Sequence, residues 1–294
     1  MHDFISFTLE GITSGLIYAA LALSLVLIWR ATRIVNFAQG GMAMITTFIA
    51  VTLIDSHISY WLAFVIALAA GLVIGAVTEA VLIRPLANKP QINAVIVTLG
   101  FLIVLEAIAG LIWGGRYRSF PAPFSLTGFK LGHGSSRIAF SPFSLFTIGA
   151  VVAIAVVLVV LFRYTSIGLK MRASAFGPEV ARLLGVRVGR ILTLGWALAA
   201  VAGSVAGLLV SPSIFLYPNS LDTVLIYAFT AAILGGLDSP VGAIVGGLAI
   251  GLAVTYVGGY MKADLETLAA LVILIVVLMI RPEGIFTSST PRRV

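Results

Sequence analysis

Apolar stretches separated by short polar segments run along almost the whole chain. Seven of the nine stretches are 18–23 residues long, the length that a helix needs to cross a hydrocarbon core of about 30 Å. The stretches are Gly11–Ile28, Ile34–Ile54, Trp61–Ile83, Ile92–Trp113, Ser144–Phe162, Ile191–Ser211, Thr223–Gly236, Val241–Tyr260 and Thr267–Ile280. This pattern predicts an all-α membrane protein, a polytopic bundle of about eight or nine transmembrane helices. The first two and the seventh and eighth stretches fit a full crossing least well, so broken or re-entrant segments are expected among them.

Polar side chains and a glycine pair interrupt the second stretch, 34-IVNFAQGGMAMI-45. Amide side chains in hydrocarbon must find hydrogen-bond partners, and paired glycines weaken a helix by about 1 kcal/mol each relative to alanine. Asn36, Gln39, Gly40 and Gly41 are therefore candidates for a broken helix that lines a translocation path. A tightly packed helix start near the inner surface explains the same residues equally well.

A second break follows the seventh stretch, in 234-LGGLDSPVGAIVGG-247. Gly235 and Gly236 precede a polar turn and are further candidates for the path, while glycines at four-residue spacing after it favour close helix packing. The two short helices fit a re-entrant pair as well as two tilted spans. Glu106, deep in the fourth stretch, is the remaining candidate for the path, and a structural contact with another helix is the alternative.

Composition supports a single membrane-embedded domain over residues 1–294. The chain is 60% hydrophobic and only 10% charged, whereas soluble domains carry about 25% charged residues. Its mean hydropathy is +1.14, and no long polar linker divides it. The net charge of +7 is typical of cationic cytoplasmic loops in such a protein. The sequence lacks cysteine, a P-loop and the motifs of common hydrolases, so we expect no catalytic residue, metal site or cofactor site in this chain.

The distribution of Lys and Arg predicts the orientation in the membrane. With the N-terminus outside, 13 of the 18 Lys and Arg residues fall on the cytoplasmic side, and the reverse orientation leaves only five there. The 13 are Arg30, Arg33, Arg84, Lys89, Arg163, Lys170, Arg172, Arg182, Arg187, Arg190, Arg281, Arg292 and Arg293. The sequence therefore predicts a multi-pass protein with a cytoplasmic C-terminus and a long outer loop over residues 114–142.

The cytoplasmic loop over residues 163–190 is expected to contain a short docking helix. Pro178 fits the first helical position, Glu179 fits the first turn, where the helix dipole favours an anion, and Gly185 fits the left-handed cap. Val180, Leu183 and Leu184 form an apolar stripe beside Arg182. Two turns are too short to be stable alone, so the stripe needs either a protein partner or the lipid surface.

Five segments together resemble the permease subunits of branched-chain amino acid ABC importers, the Liv type. They are 36-NFAQG-40, 84-RPLANKPQINAVIVTLGF-101, 168-GLKMRASAFGPEVARLLGV-186, 231-AAILGGLDSPVGAIVGGLAIG-251 and 281-RPEGIF-286. Each segment is weak alone, but their order and spacing are specific and span nearly the whole chain. The family commonly has NFAHG or NFAQG in the first segment and often Gly-Ser where this chain has Asp238-Ser239.

The resemblance implies a permease of the bacterial cytoplasmic (inner) membrane that translocates leucine, isoleucine and valine or a related small solute. It implies a second Liv-type permease subunit, two cytoplasmic ATPase subunits that bind ATP and Mg, and an extracytoplasmic solute-binding protein as partners. It also implies that the helix at residues 178–185 docks on an ATPase subunit. Permeases of this family for urea, amides or other amino acids, an ion-coupled secondary transporter and a membrane scaffold without flux remain alternatives.

Overall fold

The computed structural model describes residues 2–87, 89–129, 140–281 and 283–286, without the side chains of His2 and Phe176. Its helices are α1 (His2–Thr32), α2 (Gln39–Asp55), α3 (Tyr60–Val77), α4 (Gln91–Trp113), α5 (Pro142–Tyr164), α6 (Ser166–Phe176), α7 (Pro178–Leu183), α8 (Val188–Val210), α9 (Asp222–Gly235), α10 (Pro240–Tyr260) and α11 (Glu266–Ile280). A π-helical turn, Thr78–Ile83, and a 3₁₀ turn, Arg84–Leu86, continue α3.

Seven of the helices in the described residues are long and apolar enough to cross a membrane: α1, α3 with its continuation, α4, α5, α8, α10 and α11. The other two apolar helices, α2 and α9, have only 17 and 14 residues. The prediction of a polytopic all-α bundle is confirmed. Of the four stretches that fit a full crossing least well, α1 and α10 reach the required length and α2 and α9 do not.

Helix α1 forms the centre of the bundle and packs against α5, α8, α9 and α10. Its closest partner is α10, because glycines remove the side chains that would separate the two backbones. A Cβ atom on Gly251 would lie 2.2 Å from the Gly15 Cα atom, and one on Gly247 would lie 2.6 Å from Ala19. The four-residue glycine spacing therefore serves close helix packing, as expected from the sequence.

The end of α3 and the start of α8 are joined by a buried carboxylate. Glu79 is 1% exposed, lies in the π-helical turn, and accepts hydrogen bonds from Arg84 at 2.7 Å and from the Thr193 hydroxyl at 2.6 Å. Glu79 is five residues before Arg84 in the sequence, and the two side chains form an ion pair. Because Thr193 is in the second turn of α8, this network fixes the start of α8 to the end of α3.

Candidate functional site

Asn36 and Gln39 form a closed hydrogen-bond network at the start of α2. Both side chains are fully buried. The Asn36 Nδ2 atom donates to the Gln39 Oε1 atom at 2.9 Å, and the Ala38 backbone N–H donates to the Asn36 Oδ1 atom at 3.1 Å. The Gln39 Nε2 atom donates to the Ala199 carbonyl of α8 at 3.0 Å. The amides thus have the partners that hydrocarbon does not supply, and they connect the start of α2 to α8.

Gly203 of α8 leaves the space that the Gln39 amide occupies. A Cβ atom on Gly203 would lie 2.3 Å from the Gln39 Nε2 atom, a distance that no side chain tolerates. The run 199-AAVAGSVAG-207 has glycines at four-residue spacing, which is typical of close helix packing. In the structure, Gly203 of this run also leaves room for the side chain of Gln39, the first residue of α2.

The glycine pair brings α2 against two other helices, α4 and α9. A Cβ atom on Gly41 would lie 2.9 Å from the Leu102 side chain of α4, and one on Gly40 would lie 3.2 Å from the Leu225 side chain of α9. About one turn from these contacts, the half-buried side chains of Glu106 on α4 and Asp222 on α9 lie close enough to interact electrostatically. The structure therefore brings Asn36, Gln39, Gly40 and Gly41 together and places Glu106 beside them.

Gly235 and Gly236 lie at the opposite end of α9, roughly 15 Å along the helix from Leu225. There Gly235 contacts the backbone of Gly242 on α10, and Gly236 contacts Gly284. The backbone N–H groups of Ile285 and Phe286 donate to the carbonyls of Leu234 and Gly235 at 2.9 and 3.3 Å. In this conformation both glycines serve backbone packing at the end of α9.

The turn between α9 and α10 is also tied to the end of α1. Arg33 of the α1–α2 connection forms an ion pair with Asp238, and both side chains are about 44% exposed. The Ser239 hydroxyl accepts the Gly242 N–H at 2.9 Å and caps α10. Asp238, which departs from the Gly-Ser pair common in the resembled family, thus has a structural partner in this chain.

A polar pocket of about 370 Å³ opens between α1, α5 and α8, at the end of the bundle that carries the loop over residues 114–142. Glu10, Ser14 and Tyr18 of α1 line one side, and Leu126 and Val210 are among its apolar lining residues. Sequence analysis missed this pocket, because its residues come from three segments that are more than 60 positions apart.

Helix α7 has the boundaries that the sequence predicts. Pro178 is at its first position and Glu179 in its first turn. Gly185 has a φ of +80°, and the N–H groups of Gly185 and Val186 donate to the carbonyls of Arg182 and Ala181 at 3.0 and 2.9 Å. This pair of hydrogen bonds is the Schellman motif, which ends the helix after six residues.

The apolar stripe of α7 faces away from the rest of the chain. Val180, Leu183 and Leu184 are 60%, 87% and 77% exposed, whereas Ala181 on the opposite side is 2% exposed. The Ala181 face rests on the bundle, where α7 packs against α6 and α8. A large apolar stripe held outward on a capped helix at the end of the bundle is typical of an interaction surface.

Known proteins resemble this chain over nearly its full length. The family described as "Branched-chain amino acid transport system / permease component" matches residues 7–280. The high-affinity branched-chain amino acid transport system permease protein LivH of Escherichia coli is 29% identical over 94% of this chain and 93% of its own length. The corresponding protein BraD of Pseudomonas aeruginosa is 29% identical, over 97% of this chain and 96% of its own.

A solved structure shares the fold. A chain of PsaBC from Streptococcus pneumoniae, determined in complex with Fab, superposes with a TM-score of 0.50 over 96% of this chain and 93% of that one. The sequence identity is 14%, so the similarity concerns the arrangement of helices alone.

Proposed function

This chain belongs to the branched-chain amino acid transport permease family, and we propose that it is the transmembrane subunit of an ATP-binding-cassette importer. The solute is a branched-chain amino acid, leucine, isoleucine or valine, which an extracytoplasmic binding protein delivers. Relatives with that printed function cover nearly the whole chain, which supports the assignment. A related small solute such as urea, an amide or another amino acid is the closest variant of this proposal.

Helix α7 is the contact with the ATPase subunits, and its exposed stripe is the single observation that carries this part of the proposal. A partner groove that buries Val180, Leu183 and Leu184 gains about 1.5–3 kcal/mol for each fully buried side chain. The Schellman cap and Pro178 fix the helix before binding, so little conformational entropy is lost on docking.

Movement of α7 reaches the bundle through α8. Only four residues separate the last residue of α7 from Val188, the first residue of α8. Helix α8 carries Thr193, which holds Glu79, and Ala199 and Gly203, which hold Gln39. A displacement of α8 by the motor therefore changes contacts with both α3 and the start of α2.

The proposed orientation places α7 in the cytoplasm and the loop over residues 114–142 outside, as the Lys and Arg distribution predicts. A second Liv-type permease subunit completes the translocation path, since the amide network of α2 and α8 is closed in this chain. The polar pocket between α1, α5 and α8 has a carboxylate at Glu10, which matches the ammonium group of the solute. Its apolar walls at Leu126 and Val210 match the aliphatic side chain of the solute.

Reconstitution tests the proposed function directly. The chain is co-expressed with the permease, ATPase and binding-protein genes beside it, and the complex is placed in proteoliposomes with ATP inside. Leucine, isoleucine or valine with the binding protein should stimulate ATP hydrolysis and uptake, whereas lysine should not. Stimulation by urea or an amide instead would reassign the solute, and uptake without any ATPase subunit would refute the importer assignment.

The proximity of Glu106 and Asp222 favours one alternative, a proton-coupled secondary transporter. Two carboxyl groups that lie close together repel each other when both are ionised, so the pair is a candidate proton site. This alternative predicts uptake driven by a pH gradient in vesicles that hold this chain alone. The importer predicts no uptake under those conditions.

A further inference from the structure

An apolar groove of about 290 Å³ runs along the outside of the bundle between α5 and α10. Both helices pack on α1, and the gap between them is floored by the buried side chains of Leu16 and Val151. The walls are Val152, Val156 and Val160 of α5 and Ile244 of α10. Every lining residue is aliphatic, so the groove offers no hydrogen bond to a polar ligand.

The length and position of the groove match one leaflet of a bilayer. From Val151 to Val160, α5 advances about 13.5 Å, close to half of the roughly 30 Å hydrocarbon core. Val160 and Ile244 lie about one turn from the ends of α5 and α10 on the side of α7. The groove therefore reaches from the middle of the membrane to the surface that carries the basic loop.

Basic side chains lie at the end of the groove. Arg163 follows Val160 by three positions and Val159 by four, so it shares the groove-facing side of α5. Arg172 of α6 donates to the Phe162 carbonyl in the last turn of α5, and Arg30 at the end of α1 is within electrostatic range of Arg172. Within the described residues, no carboxylate forms an ion pair with Arg163 or Arg172.

We propose that this groove binds an anionic phospholipid, with one acyl chain along Val152, Val156 and Val160 and the phosphate at Arg163 and Arg172. An acyl chain packs against the aliphatic walls over the depth of one leaflet. The phosphate supplies the negative charge that the guanidinium groups of Arg163 and Arg172 otherwise lack. Basic pockets between membrane helices on the cytoplasmic side bind such headgroups. The site is separate from transport, and only its assignment to the cytoplasmic leaflet rests on the proposed orientation.

Native mass spectrometry of the purified complex tests the proposal with two lipids of identical acyl chains, phosphatidylglycerol and phosphatidylcholine. The wild type should retain phosphatidylglycerol with roughly 30-fold preference, as two basic side chains predict. Arg163→Gln combined with Arg172→Gln should remove the preference. Arg116→Gln, an exposed arginine in the outer loop, is the matched control and should leave it unchanged.

A second pair of variants tests the groove itself. Val156→Trp fills the groove and should abolish retention of both lipids, whereas Val157→Trp, at a similarly exposed neighbour outside the lining, should not; their side chains are 54% and 59% exposed. Equal retention of the two lipids by the wild type, or equal effects of the two tryptophans, would overturn the proposal. A disulfide between Val156→Cys and a cysteine scanned along the partner permease would show a protein helix in the groove and would also overturn it. Uptake assays on the same preparations separate failure of this proposal from failure of the importer assignment.

Discussion

The start of α2 buries polar side chains, whereas the surface of α7 exposes apolar ones. Asn36 and Gln39 are polar groups within the bundle, and every amide has a partner inside the chain. Leu183 and Leu184 are apolar groups at its end, and both are left exposed. The two buried amides are fully hydrogen-bonded, whereas the large apolar stripe stays exposed. We therefore infer that the stripe contacts another molecule.

The largest effect is expected from a charge in the middle of the stripe. Leu183→Glu removes an apolar contact and forces a carboxylate into the interface, which should weaken ATPase binding by about 4 kcal/mol, roughly 1,000-fold. Co-purification with the ATPase subunits should be lost, while the permease still reaches the membrane. Leu183→Met, which keeps an apolar side chain of similar volume, should co-purify normally. If the glutamate variant assembles as well as wild type, the stripe is not the docking surface.

Removal of the cation that pairs with a buried carboxylate should instead destabilise the permease itself. Arg84→Ala leaves the Glu79 carboxylate buried beside Thr193 without its cation, and it should lower the free energy of unfolding by about 3 kcal/mol. This value is at the lower end of the range for a broken buried ion pair, because Arg84 is half exposed. Thermal unfolding in detergent measures this effect.

A double variant separates the ion pair from simple loss of packing. Glu79→Gln combined with Arg84→Ala should recover most of the stability, because it removes the unpaired charge. Arg190→Ala, at an exposed arginine, should have no measurable effect. Equal losses in all three variants would contradict the role given to the pair.

A smaller effect is expected where α2 meets α8. Gln39→Leu removes the hydrogen bonds that Gln39 makes with the Asn36 Nδ2 atom and the Ala199 carbonyl, and it should lower the unfolding free energy by about 2 kcal/mol. Thr46→Val is the matched control, because the buried Thr46 hydroxyl bonds only to its own helix, at the Ala43 carbonyl. If the two variants are equally stable, the network between the helices contributes little.

The smallest perturbation tests the side of the membrane on which α7 lies. The chain has no cysteine, so single cysteines at Lys170 and Ser125, both exposed, report accessibility cleanly. A membrane-impermeant maleimide should label the Ser125 variant in intact cells and the Lys170 variant only after permeabilisation. Labelling of both variants in intact cells would contradict the orientation derived from the charge distribution.

The sequence predicted the elements whose causes are local. The apolar stretches predicted the positions of the nine apolar helices found in the described residues, and Pro178 and Gly185 predicted both ends of α7. Glu79 and Arg84, five residues apart, are also close enough in sequence for the ion pair that the structure shows.

Features that join distant segments could not be predicted from one sequence. Nothing local indicates that Glu106 meets Asp222, more than 100 positions away, or that Gly203 receives the Gln39 amide. The π-helical turn at Thr78–Ile83 likewise holds a tertiary contact, between Glu79 and Thr193, that no local pattern indicates. Gly235 and Gly236 were grouped with the path because they break a helix, and only the structure shows that they pack against α10 and residues 283–286.

The central claim is that α7 transmits the force of separate ATPase subunits to the bundle. A photoreactive amino acid placed at Leu183 in the intact, membrane-embedded complex tests it most directly. The account predicts a covalent product with an ATPase subunit whose yield changes between the nucleotide-free and ATP-bound states. A product with lipid alone, in every nucleotide state, would contradict it.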